Sequence, residues 1–316
     1  MFAICIESSH ARGLGHLFRA LNLADALDER GHAVRFLMND HAVSAGILKA
    51  RGYTPLTVEL ANTTSGWEAV LSAEHRFSMW IDDRLDTTQE HAAQIKAIGL
   101  PLVTFDDRGS GAMLADLHVA ALAFDGAPLA GKKLLTGVDY LILNPEIAGY
   151  QRVRHTLRSL LVTLGGSDTY GATVKVVSAL AKKGMGATIV VGPGFAHRNA
   201  LDAVLTDAFT VLSGVPSMIE EMSRHDFAIT GGGITPFEAN AAGLPCLVVA
   251  NEDFEVPVGR ALEALGGAIF AGHYRDFSLS ALDAELPLEQ MSRAGMAKVG
   301  MGGAARVVDA LEELAA

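Results

Sequence analysis

Cysteine is nearly missing from this chain: Cys5 and Cys246 are the two thiols in 316 residues. Their spacing is far too wide for a zinc knuckle or a redox pair, and no disulfide framework can be drawn, which points to a reducing compartment. Positive charge is scarce too. Twenty-five Lys and Arg against 36 Asp and Glu give a formal net charge of −11. That balance argues against a nucleic-acid groove or an anionic-membrane patch, while leaving room for a local basic pocket that takes phosphates. Long apolar runs are also lacking: none approaches the roughly 18 residues needed to cross a bilayer, the opening carries no basic leader, and no lipidation signal stands out. A soluble, cytoplasmic protein with no nucleic-acid partner and no stable membrane insertion is expected.

What the chain does have is apolar residues in alternating patterns. Half of its residues are hydrophobic, enough for a large core, and the length suggests two domains. Short β-type runs at 2–6, 33–37, 77–81, 102–105 and 117–119 alternate with helix-period segments. The first such segment, 16–30, carries Leu17, Ala20, Leu21, Ala24 and Leu27 on one face before Gly31 stops it. The pattern restarts at 159–164 and continues through 187–191, 209–211, 227–230, 246–249 and 268–270. This is the α/β class twice over, two Rossmann-like doubly wound domains. Residues 137–158 lack periodicity, contain Pro145 and Gly149, and cluster Arg152, Arg154, His155 and Arg158. They read as the linker, dividing the chain into 1–147 and 148–316. In such folds ligands bind in the cleft at the C-terminal ends of the strands, so function is sought in the loops after strands.

Three of those loops carry chemistry. Gly13-Leu14-Gly15-His16, with Arg19 one turn on, puts a histidine where a strand turns into a helix. The glycines allow close backbone approach to a ligand, and the free N–H groups of a helix N-terminus favour an uncharged imidazole, a general base. Gly165-Gly166-Ser167-Asp168 has the shape of a phosphate cradle, or of a helix cap made by Ser167 or Asp168. Gly231-Gly232-Gly233-Ile234-Thr235-Pro236-Phe237-Glu238 follows a strand and opens a helix, with Thr235 in N-cap position. Its amides suit a diphosphate and Glu238 suits ribose hydroxyls. Neither a Walker motif nor the dinucleotide fingerprint is present. Asp82-Asp83-Arg84 and Asp106-Asp107-Arg108 read as strand-end carboxylates that orient a sugar or a water. No histidine or third carboxylate stands beside them at metal-ligand spacing, so no metal is expected.

Taken in order, these residues resemble the two-domain GT-B nucleotide-sugar enzymes. Within that group the chain looks like the UDP-sugar hydrolases of pseudaminic-acid synthesis and the related spore-coat polysaccharide proteins; the peptidoglycan N-acetylglucosamine transferases are similar more distantly. The resemblance rests on Gly13 to His16 with Arg19, Asp106-Asp107, Gly165 to Asp168, and Gly232-Gly233 with Thr235, Glu238, Gly243 and Pro245. It implies a nucleotide sugar, a UDP-sugar, as the partner, with no cofactor. Gly165, Gly166, Ser167, Gly232, Gly233, Thr235 and Glu238 would hold the nucleotide, and Gly13, Gly15, Arg19, Asp82, Asp106 and Asn251 the sugar side. His16 would activate water to cleave the anomeric bond, making the protein a hydrolase of surface-carbohydrate synthesis. The same site with an acceptor hydroxyl would be an inverting glycosyltransferase, and without turnover a nucleotide-sugar-binding protein. The chain departs from the pattern at Ile234, where the family commonly has Ser, and at Asn251 to Glu255, where it has an Asn-Gln pair.

Overall fold

Apolar runs bounded by glycine and charged turns become strands, the helix-period segments between them become crossovers, and every strand pair is parallel. The computed structural model describes residues 1–8, 15–62, 65–166 and 168–316. They form two compact units, one of residues 1–143 with 301–316 and the other of residues 144–300.

The first unit runs β1 (Phe2–Ile6), α1 (Gly15–Glu29), β2 (Val34–Met38), α2 (Ala42–Ala50), β3 (Leu56–Thr57), α3 (Trp67–His75), β4 (Met79–Asp83), α4 (Gln89–Ala97), β5 (Leu102–Phe105), β6 (Leu117–Ala120) and β7 (Lys133–Thr136). Its sheet has the order β3-β2-β1-β4-β5-β6-β7. Strand alternation divides the core in two. Phe2, Ile4, Ile6, Phe36, Met79 and Ile81 pack under Leu17, Leu21 and Leu27 of α1. Ala3, Cys5, Leu37 and Trp80 face Ala92 and Ile95 of α4 on the other side.

The second unit runs β8 (Leu160–Thr163), α5 (Ala172–Lys182), β9 (Ala187–Val191), α6 (Arg198–Asp202), β10 (Phe209–Ser213), α7 (Met218–Ser223), β11 (Phe227–Thr230), α8 (Thr235–Ala241), β12 (Cys246–Ala250), α9 (Glu255–Leu265), β13 (Ala268–His273) and α10 (Leu288–Lys298). Its strand order is β10-β9-β8-β11-β12-β13. The last helix, α11 (Gly303–Ala315), lays Val307, Val308 and Leu311 into the core of the first unit, not the second. The chain therefore divides at 143 and again at 300, where the sequence suggested a single division after residue 147. An amphipathic helix shows which face it buries but not against which sheet.

In each sheet the strand order reverses beside the first strand, between β1 and β4 and between β8 and β11. The loops leaving those strands are where doubly wound folds bind ligands; His16, the Gly165-Gly166 pair and the triple glycine come after β1, β8 and β11, and Asp106 after β5. No helix among the described residues is long and apolar enough to cross a membrane.

Candidate functional site

His16 is the second residue of α1, held at the β1/β4 reversal by one of the expected strand-end carboxylates. Its Nδ1 lies 2.5 Å from Oδ1 of Asp83, the last residue of β4. With the proton of that bond on Nδ1, as a carboxylate acceptor demands, Nε2 keeps a lone pair. Arg19, one turn along α1, forks onto the same carboxylate, Nε to Oδ2 at 2.8 Å and Nη2 to Oδ1 at 2.5 Å, and its Nη1 donates to Asp106. Burial pushes the Asp83 carboxyl up, but Arg19 and His16 together hold it well below the usual carboxylate range. Asp106 sits just past β5 with a left-handed backbone (φ +46°) and accepts from Leu122 N at 2.8 Å. The His16 side chain is 15% exposed and Asp83 3%, so the imidazole reaches solvent while its carboxylate does not. This arrangement can take a proton on Nε2 and share the resulting charge with a buried carboxylate. Gly15 has open space around it; Gly13 lies outside the described residues.

Asp82 belongs elsewhere. Successive side chains of a strand point to opposite faces, so with Asp83 on the α1 face Asp82 lies on the other. There it accepts from Trp80 Nε1 (3.0 Å) and Thr87 Oγ1 (3.3 Å) and meets His91 Nε2 at 3.1 Å. It is completely buried, so it does not face a sugar as expected; of the Asp82-Asp83 pair it is Asp83 that meets His16. The two strand-end pairs thus split: Asp83 and Asp106 converge on Arg19, while Asp107 turns away to accept from Thr87 N (3.0 Å) and Gly109 N (2.8 Å).

In the second unit Asp168 spends its carboxylate on the protein itself, although the N-cap of α5 is Gly171. Asp168 accepts from Ala172 N (2.7 Å) and Thr173 N (2.8 Å), filling the start of α5 with its own carboxylate. Gly166 packs against Gly192, whose Cβ would come within 2.3 Å of the Gly166 carbonyl oxygen. Gly165 takes φ +101°, open to glycine alone at low cost. Ser167 lies outside the described residues.

The triple glycine after β11 is explained in two parts. A Cβ on Gly232 would sit 2.6 Å from Cβ of Glu255, and one on Gly231 3.0 Å from Nδ2 of Asn251, so these two glycines admit a close crossing from the end of β12. Gly232 N (3.1 Å) and Asn251 N (2.7 Å) both donate to Oε2 of Glu255, whose pKa burial raises against those bonds. Gly232 therefore spends its amide on the protein itself. Asn251 likewise gives its side-chain amide to Leu164 O (2.9 Å) instead of leaving it for a sugar. Gly233 differs: a Cβ there would meet little but a carboxylate oxygen at 4.0 Å. Thr235 is the first residue of α8 rather than its cap, with Ile234 in cap position and no side-chain cap bond. Pro236 thus stands at the second helical position, one past the position proline favours. Glu238, half-buried on that first turn, makes no side-chain hydrogen bond among the described residues, and burial raises its pKa to about 7. Glu255, which the sequence shows only as part of the departure at Asn251 to Glu255, is the carboxylate that closes this turn. Its signal was its place in the first turn of α9, four residues after Asn251.

No protein-family model matches the chain. It is 25% identical over 280 residues to an uncharacterized protein of Methanocaldococcus jannaschii, covering 80% of this chain and 56% of that protein. It is 23% identical over 307 residues to the spore coat polysaccharide biosynthesis protein SpsG of Bacillus subtilis, covering 85% of this chain and 83% of that one. The chain thus spans little more than half the length of the archaeal relative. Among solved structures, MurG of Acinetobacter baumannii superposes with a TM-score of 0.72 at 16% identity over 99% of both chains. The glycosyltransferase VinC in complex with dTDP gives 0.68 at 16% identity, covering 100% of this chain and 99% of that one. The Staphylococcus aureus MnaA–UDP structure gives 0.67 at 14% identity, covering 98% and 96%. The fold is GT-B. At these identities the likeness concerns architecture, and within the GT-B frame the His16 cluster and the glycine turns each fall on the strand-order reversal of their own unit.

Proposed function

We propose that this GT-B protein is an inverting glycosyltransferase that uses a nucleotide-diphosphate sugar, with His16 as the base that deprotonates the acceptor. The observation that carries this reading is the 2.5 Å contact between His16 Nδ1 and the buried Asp83 carboxylate, braced by Arg19. The acceptor O–H gives its proton to Nε2, its oxygen forms a bond to the anomeric carbon, and the bond from that carbon to the phosphate oxygen breaks. The electron pair leaves with the nucleoside diphosphate, and the sugar inverts in one displacement. The diphosphate lies at the turn after β11, against the Gly233 side left open, and the ribose hydroxyls donate to Glu238. Arg19 and Asp106 hold the histidine–carboxylate pair in place. UDP is the nucleotide that the sequence resemblance supports, and polysaccharide synthesis the setting that the name of the Bacillus relative supports.

Transfer to an acceptor is favoured over transfer to water because a solved GT-B neighbour is a glycosyltransferase. The purified protein is to be mixed with UDP-, dTDP- and GDP-sugars, with and without a panel of alcohol acceptors, and nucleoside diphosphate release measured. Release that depends on an acceptor is the expected result. Equal release in water alone makes the protein a hydrolase, and tight sugar-nucleotide binding with no release under either condition makes it a binding protein. His16→Ala is expected to lower turnover by about 10² to 10⁴ with nucleotide affinity retained.

A further inference from the structure

On the face of the first sheet opposite His16, three elements bring a thiol, a carboxylate and an imidazole together in the interior. Cys5 of β1, Asp82 of β4 and His91 of α4 place one ligand atom each within 4.8 Å of the others. All three are buried, Cys5 and Asp82 completely. Their orientation is fixed from behind: His91 Nδ1 is held by Glu68 Oε1 at 2.7 Å, which leaves Nε2 aimed at Asp82 Oδ2, 3.1 Å away. Asp82 is itself steadied by the Trp80 indole N–H and the Thr87 hydroxyl. A carboxylate behind a histidine, and hydrogen bonds behind a ligating carboxylate, are the outer-shell features that orient ligands in protein metal sites. Glu68 Oε2 has no partner among the described residues although it is fully buried.

We propose that Cys5 Sγ, Asp82 and His91 Nε2 form a zinc site in the first unit. Thiolate, imidazole and carboxylate together suit Zn²⁺ better than the hard cations, and ligand atoms within 4.8 Å of one another can take three corners of a tetrahedral ion, the fourth being left to a water. On binding, Zn²⁺ forms bonds to Sγ, Nε2 and a carboxylate oxygen, and the thiol proton and one imidazolium proton pass to solvent. Two positive charges enter and two leave, so the buried cluster keeps its net charge, including the contribution of nearby Arg84 and its partner Glu7. That balance matters in a buried site, where an excess charge is costly. The ion ties α4 to β1 and β4 one residue before Asp83, and so fixes the strand end that positions His16. No spacing in the sequence announces the site, because its ligands come from three separate elements, and it departs from the expectation of no metal.

The test is independent of turnover. Protein expressed with added zinc, then dialysed against chelator, is to be assayed for metal content; separately, chelator-treated protein is unfolded and refolded with Co²⁺ and its absorption recorded. About one equivalent of zinc and a thiolate-to-cobalt charge-transfer band are expected in the wild type and in Cys246→Ala, and neither in Cys5→Ala. Cys5→Ala removes one small buried group and is to be checked for native circular dichroism; Asp82→Asn supplies a second variant that keeps the side-chain shape. Wild-type protein with under about a tenth of an equivalent and no cobalt band would overturn the proposal. So would zinc retained undiminished in Cys5→Ala, which would put the ion elsewhere.

Discussion

A carboxylate 2.5 Å from an imidazole nitrogen fixes which nitrogen carries the proton and steadies the ring when a second proton arrives. Asp83→Asn keeps the shape of this pair but offers an N–H where Nδ1–H needs an acceptor, so the ring turns over or changes tautomer. Turnover is expected to fall by about 10² to 10⁴ while the KM for the sugar nucleotide changes little. Arg19 would keep Asp106, so a melting temperature within a few degrees of wild type is the expected control. Glu238 gives a prediction that needs no substrate. Its pKa stands at about 7 in the folded protein through burial, above its value in the unfolded chain. Its contribution to stability is therefore full below the unfolded carboxylate range and is lost as pH rises through about 7. Glu238→Gln removes that loss, so the variant is expected to gain on wild type between about pH 4.5 and pH 8 by on the order of 2 kcal/mol in urea unfolding. Parallel stability curves for the two proteins would show that the carboxyl is solvated.

Arg154 shows how one side chain joins elements. The sequence reading put it in a linker, yet its guanidinium is fully buried and donates to backbone carbonyls alone: Arg152 O at 2.8 Å, His225 O at 3.3 Å, Met222 O at 3.4 Å, and Ala242 O. Met222 lies in the last turn of α7 and Ala242 caps α8, so one cation donates to carbonyls at two helix ends. Burial, with the charge of Arg152, pushes its pKa down to about 9. Arg154→Met takes one donor from each of those carbonyls, which keep Ser292 Oγ, Arg152 Nη2, Arg152 N and His225 N as partners, and is expected to cost about 1 to 2 kcal/mol in chemical denaturation, with Arg154→Lys recovering only part. What the sequence conveyed at this scale follows local physics. β1, β5, β9 and β11 stand where the apolar runs put them, and Gly31, at φ +82°, ends α1 as expected. β3 was passed over because two residues make no pattern, and β7 because Lys133–Thr136 is an exposed edge strand without an apolar face. At the site, a strand end placed at Ile81 instead of Asp83 hid the alternation that separates Asp82 from Asp83. The triple glycine reads in the sequence as a diphosphate turn, and the close crossing of Glu255 does not show there, since that contact joins the ends of two neighbouring strands.

The division of the chain has a consequence for the whole molecule. Residues 144–300 form one compact unit, and the last sixteen residues return to complete the other. Val307, Val308 and Leu311 are fully buried in the first unit's core, each contributing about 2 kcal/mol by removal from water. That sum is comparable to the whole stability of a typical domain. A chain cut after Gly300 is therefore expected to lose the first unit selectively. Hydrogen exchange should show β1, β2 and β4 unprotected while β8, β11 and β12 stay as protected as in the full chain. Leu311→Ala is the milder form, expected to cost the first unit about 3 kcal/mol through the cavity it leaves and the second unit nothing. The fragment 144–300, expressed alone, should resist proteolysis, and under the proposed function it should still be stabilised by UDP, because Glu238 and the glycine turn after β11 lie wholly inside it. If loss of the terminal helix exposes both units equally to exchange, the two share one cooperative core and the division at 300 has no thermodynamic meaning.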